Sequence, residues 1–190
     1  MGSSQMTFIQ LIRDKHFTQE QALSALSERR LVTFVNPYSY LMLKSRIDHG
    51  LNFFDYIGVD GQSLLPFISA RGGRFCRTSF DYGSIAGMIF DAASKLNKSV
   101  ALIGSDEQSI TIAVQRIRAR HHGINIVYFR NGYFNGDAER FDAFKEISQK
   151  NIDLVVCGMG VFNQEKFLID CRAQGWDGAG FTCGGFFHQI

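Results

Sequence analysis

Short apolar runs recur along the chain, separated by segments whose apolar residues fall at helical spacing. The runs are Leu31 to Val35, Phe54 to Val59, Ser99 to Ile103, Ile124 to Phe129, Asp153 to Cys157 and Ala179 to Cys183. Several are nearly unbroken in apolar residues, as strands covered on both faces must be. From Asp106 to Arg120, Ile110, Ala113, Val114 and Ile117 repeat every three or four residues while Gln115, Arg116 and Arg118 point away, which predicts an amphipathic helix. Phe141, Phe144 and Ile147 form a similar stripe, as do Ala22, Leu23, Ala25 and Leu26 behind a Thr18 that can cap. Pro37 and Pro66 each sit where a helix can begin, because the first turn has no use for the missing N–H. Strand and helix alternate, so the pattern predicts βαβ units and one α/β domain built on a parallel sheet with helices on both faces.

Composition narrows the function classes. Apolar residues make up 45% of the 190 positions and charged residues 20%, which suits a folded domain with a real core. A formal charge of +2 with interspersed signs gives no field that would favour nucleic acid, and none is expected as a partner. Cys76, Cys157, Cys171 and Cys183 contain no C-x-x-C pair, which fits a reduced cytoplasmic compartment. No apolar stretch approaches the roughly 20 residues that span a bilayer, so any membrane contact is expected to be peripheral. Met1 to Gln5 reads like an expression-vector remnant and is set apart from residues 6–190.

In an open parallel sheet, ligands bind beyond the carboxyl ends of the strands. Those positions hold Asn36-Pro37, Asp60-Gly61, Gly104-Ser105, Asn131-Gly132-Tyr133, Gly158-Met159-Gly160 and Gly184-Gly185. Glycine lets backbone approach a ligand closely, and helix N-termini beyond it offer N–H groups to phosphate, so a nucleotide or sugar phosphate is the natural guest. Each glycine alone serves a tight turn equally well. No G-x-G-x-x-G follows a strand, no G-K-S or G-K-T occurs, and the histidines show no H-E-x-x-H, which argues against dinucleotide, P-loop and zinc chemistry. Asp60 can act as a general base if it projects into the cleft, or as a helix cap or turn residue if it does not. Gln164 and Glu165 open a helix after a glycine turn; Gln164 can bond a base or sugar hydroxyl, and Glu165 can merely complement the helix dipole. Tyr133 can stack on a ligand or belong to the core.

From about Leu31 to Ile190 the chain resembles the WecG/TagA/CpsF glycosyltransferases, glycosyltransferase family 26. Val32-Thr33-Phe34-Val35-Asn36-Pro37 resembles the family's opening strand with its Thr-x-Asn-Pro, and Val59-Asp60-Gly61 its Asp-Gly turn. Gly132-Tyr133-Phe134 is similar to its Gly-Tyr-Phe, Gly158-Met159-Gly160 with Gln164-Glu165 to its Gly-x-Gly-x-Pro-x-Gln-Glu, and Cys183 to Phe187 to its Val-Gly-Gly-Ala-Phe. Four departures stand out. Phe34 occupies the place of the family's threonine, with Thr33 one position back. Arg77 to Asp81 lacks the glycine of Arg-x-x-Gly-x-Asp, Phe162 replaces the proline, and His188 replaces the aspartate after Gly-Gly-x-Phe.

The resemblance implies a Rossmann-like domain catalysing inverting, metal-independent transfer from a UDP-sugar, with no cofactor. Asp60 would be the base, and Asn36 would lie near the sugar and acceptor. Tyr133, Gln164 and Gly184-Gly185 would contact the uridine diphosphate. Thr33, Gly61, Arg77, Gly104, Gly160, Glu165 and His188 complete the expected substrate-binding set. No D-x-D occurs, so the pyrophosphate would be met by N–H groups and cations. The implied acceptor is a polyprenyl-diphosphate-linked sugar at the inner face of the cell membrane, in cell-surface polysaccharide synthesis. The 18 phenylalanines leave apolar surface for a homo-oligomer. The family also has a basic, membrane-proximal C-terminal segment that would lie past Ile190, and a form without it is expected to turn over slowly. A non-catalytic nucleotide-sugar-binding module is the alternative.

Overall fold

The computed structural model describes residues 7–44 and 50–190; the stretch read as a vector remnant lies outside them. In chain order the elements are α1 (Phe8–Asp14), α2 (Ala22–Ser27), β1 (Leu31–Val35), α3 (Pro37–Leu43), β2 (Tyr56–Val59), α4 (Leu64–Ser69), α5 (Ala86–Lys95), β3 (Ser99–Gly104), α6 (Glu107–Arg120), β4 (Asn125–Arg130), α7 (Asp137–Gln149), β5 (Leu154–Gly158), α8 (Asn163–Ala173), β6 (Ala179–Thr182) and α9 (Phe186–Gln189). All six expected strands are present, each within about two residues of its sequence bounds, the usual scatter at element ends. They form one parallel sheet in the order β2-β1-β6-β5-β3-β4.

Alternation along the strands divides the core in two. Val32, Val100, Leu102, Leu154, Val156 and Phe181 face α2, α5, α6 and α9, while Val35, Ala101, Ile103, Val155 and Cys157 face α1, α3, α4, α7 and α8. Helices therefore cover both faces, which is why the strands read as continuous apolar runs. The stripe on α6 is buried as expected. Two stripe residues are not: Leu23 is 47% and Phe141 43% exposed, and the buried sides of their helices rest on Ala22, Ala25 and Leu26, and on Ala143, Phe144 and Ile147.

The loops at the carboxyl edge are fixed by local chemistry. Asn36 caps α3 by accepting from the Ser39 N–H at 2.8 Å and donating its own N–H to Ser39 Oγ at 2.8 Å, with Pro37 next in line. Asp106 caps α6 by accepting from both the N–H and the hydroxyl of Ser109, each at 2.8 Å. Gly104 ends β3 at φ +148°, and a Cβ there would lie 2.2 Å from the Gly158 carbonyl oxygen of β5. Only glycine lets those two strand ends meet.

Candidate active site at the carboxyl edge of the sheet

Every strand sends residues into a single cleft of ≈ 680 Å³ at its carboxyl end. Asn36 and Tyr38 come from the start of α3, Asp60 from the end of β2, Ser105 from the end of β3, and Gly132 and Tyr133 from beyond β4. Gly158, Gly160 and Gln164 follow from β5 and α8, and Gly184, Gly185 and His188 from the turn after β6. Arg77 and Asp81 arrive on an extended segment that bridges to the outer edge of β2, where the Thr78 N–H donates to the Val59 carbonyl at 2.9 Å.

Asp60 is not a cap: α4 is preceded by Ser63, and the Asp60 side chain lines the cleft, 39% exposed. Arg77 Nη2 lies 3.4 Å from Asp60 Oδ1 and 2.5 Å from Asp81 Oδ2, so its stronger bond goes to Asp81, which also accepts from Ser79 Oγ at 2.6 Å. Partial burial pushes the Asp60 carboxyl above the usual aspartate value; Arg77 opposes that rise and the like charge of Asp81 adds to it. Burial also acts to raise Asp81, but the bonds from Ser79 and Arg77 outweigh it and hold that carboxyl below the usual value. The cleft thus pairs one tied-up carboxylate with one more basic and reachable.

Four expected site residues do not line the cleft. Thr33 is fully buried beneath it, its hydroxyl 3.0 Å from both Glu165 Oε1 and Thr182 Oγ1. Side chains alternate along a strand, so Phe34, in the place of the family's threonine, lines the cleft instead. Glu165 is only 3% exposed; it accepts from Thr33, from Gln164 Nε2 at 2.9 Å and from the Phe162 N–H at 2.7 Å. Burial raises its pKa against the pull of those three bonds. It positions Gln164, whose Oε1 accepts from the Gly184 N–H at 3.2 Å. Gly61, at φ +116°, serves a close approach to Pro37, and Gly104 serves the β3 to β5 contact. These four lie around the cleft rather than in its lining.

Tyr133 is 73% exposed at the rim, which removes the core alternative. His188 lies within 3.1 Å of Ser105 Oγ and 3.9 Å from Asp106 Oδ2. Ser105 and Asp81 carry no sequence signal of their own beyond their neighbours Gly104 and Arg77, yet both line the cleft, and Ser105 adopts φ +60°, a strained conformation for serine that accumulates at ligand sites. Among the described residues no three His, Cys, Asp or Glu side chains form a metal-type cluster, and the cations lining the cleft are Arg77 and, when protonated, His188.

A doubly covered parallel sheet with glycine turns, a carboxylate and an aromatic rim around one carboxyl-edge cleft defines a Rossmann-like α/β protein. The chain belongs to the glycosyl transferase WecG/TagA/CpsF family, whose model matches residues 9–190. It is 39% identical over 160 residues to a UDP-Gal:alpha-D-GlcNAc-diphosphoundecaprenol beta-1,4-galactosyltransferase of Shigella boydii, a match that covers 84% of this chain and 66% of the relative.

Proposed function

We propose that the cleft transfers a hexose or N-acetylhexosamine-type sugar from a UDP-sugar to a polyprenyl-diphosphate-linked sugar, with inversion and without a metal ion. The carrying observation is that Asp60, held above its usual pKa, faces the same cleft as the Gln164 and Gly184-Gly185 turns. In that arrangement Asp60 takes the proton of an acceptor hydroxyl as its oxygen attacks the anomeric carbon. The bond from that carbon to the phosphate oxygen breaks, and its electron pair leaves with UDP. Arg77, His188 and the glycine turns are the groups that can meet the leaving pyrophosphate. The relative's name supports galactose as donor sugar and a GlcNAc-diphosphate lipid as acceptor. Such an acceptor supports a peripheral position at the inner membrane face; among the described residues no helix is long and apolar enough to cross a membrane.

The test is twofold. Melting temperature is measured with UDP, ADP and NAD, and labelled UDP-galactose is offered with a GlcNAc-diphosphate lipid in the presence of EDTA. The proposal expects stabilisation by UDP alone and a β-linked galactosyl product. Stabilisation by NAD or ADP but not UDP contradicts it, and UDP binding without product under any metal condition leaves a binding module instead.

A further inference from the structure

Beside the cleft mouth lies a face that the transfer chemistry does not use. Helix α3 begins at the cleft, where its cap Asn36 and Tyr38 both contribute to the lining. Tyr38, Leu41 and Met42 fall three and four residues apart and so share one side of α3; they are 65%, 59% and 38% exposed. Phe67 of α4, 43% exposed, is held beside α3 by packing edge-on against the buried Tyr40 at 5.6 Å. The inner sides of both helices are apolar too, through Tyr40, Leu43, Leu64 and Ile68. A helix apolar on both sides needs a second medium to face, and the exposed apolar area, of the order of several hundred Å², is the size that marks an interaction site.

Charge selects the medium. From Asn36 to Lys44 and from Gly61 to Cys76 the sequence has no Asp or Glu, yet it carries Lys44, Arg71 and Arg74. Lys44, Arg71 and Arg74 are exposed. The Arg71 guanidinium lies 3.7 Å over the Phe67 ring and donates to the Phe67 carbonyl at 2.9 Å, so an exposed cation sits directly on the exposed ring. A second copy docking here would set cations against cations. An anionic lipid surface offers the complement, with rings and aliphatic chains entering the headgroup boundary and cations meeting phosphate.

We propose that the outer face of α3 and α4 is the surface by which the chain rests on an anionic bilayer, with the cleft mouth held at headgroup height. The link to a lipid-borne acceptor rests on the transferase reading; the surface itself does not.

The test uses the 190-residue chain and a Leu41→Ser/Phe67→Ser/Arg71→Glu variant, none of whose sites lines the cleft. Co-sedimentation is measured with vesicles of mixed phosphatidylglycerol and phosphatidylcholine and with phosphatidylcholine alone. The wild type is expected to partition onto the anionic vesicles in a salt-sensitive way, and the variant about tenfold less or worse, with its melting temperature and UDP stabilisation unchanged. Absence of wild-type binding to anionic vesicles, equal binding by the variant, or a solution dimer that the substitutions dissolve overturns the proposal. Lack of UDP stabilisation in the wild type, with vesicle binding intact, removes the transferase reading and leaves the surface standing.

Discussion

Replacing Glu165 by alanine probes the floor that holds the cleft in shape. Its two oxygens accept from the Phe162 N–H, the Gln164 amide and the Thr33 hydroxyl. Thr33 retains Thr182 as a partner at 3.0 Å, so the alanine variant orphans two donors. Each buried orphan costs about 1–3 kcal/mol, and relief from burying a carboxylate offsets part of that, leaving a net loss of about 2–4 kcal/mol near neutral pH. For a chain of this size the melting temperature should fall by about 5–15 °C. Urea unfolding followed by circular dichroism, with the slope unchanged, measures the loss directly. The pH dependence has a definite sign. Burial raises the folded-state pKa of Glu165, so its contribution is fullest below the ordinary glutamate value and is lost as pH rises through the folded one. The gap between wild type and variant should therefore narrow with rising pH across that window. A loss under about 0.5 kcal/mol, or a gap that widens, would refute this account of the network.

Other consequences are as direct. Phe162 sits at φ +72° and donates its N–H to Glu165; Phe162→Pro, although it restores the family's residue, should cost about 3 kcal/mol or more because proline is locked near −65° and has no donor, as chemical denaturation would show. Gly104→Ala places a Cβ 2.2 Å from the Gly158 oxygen, and thermal unfolding should show a loss of about 2 kcal/mol or more with weakened UDP affinity. The acidic limb of kcat/KM should lie above the ordinary aspartate value of 3.8, because ionised Asp60 is the active form and its pKa is raised. In Arg77→Gln the opposing charge is gone, so that limb should move to higher pH; a limb that stays put or moves down contradicts the assignment.

How far the sequence reached follows from the range of the interactions involved. Strands buried on both faces announce themselves as apolar runs, and the rule that ligands gather beyond their carboxyl ends located Asn36, Asp60, Tyr133, Gln164 and the Gly184-Gly185 turn in one cleft. Which residue of a neighbouring pair faces the ligand was harder to read. Thr33 and Phe34 differ only in strand parity, and Gln164 and Glu165 only by one step around a helix, yet one of each pair lines the cleft and the other supports it. Contacts between distant segments left no local signature: Ser105 meets His188 across 83 positions, and the bond from Thr33 to Glu165 spans 132. Asp81 lay inside a stretch already noted for Arg77, but that it competes with Asp60 for one guanidinium appears only in three dimensions.

The most direct test is steady-state transfer by Asp60→Asn, an isosteric change at the cleft that removes the proton acceptor and keeps the volume. If Asp60 is the base, turnover should drop by about 10²–10⁴-fold while UDP stabilises the variant as well as it does the wild type. Turnover within a few fold of wild type, with UDP bound equally, would show that the proton goes elsewhere.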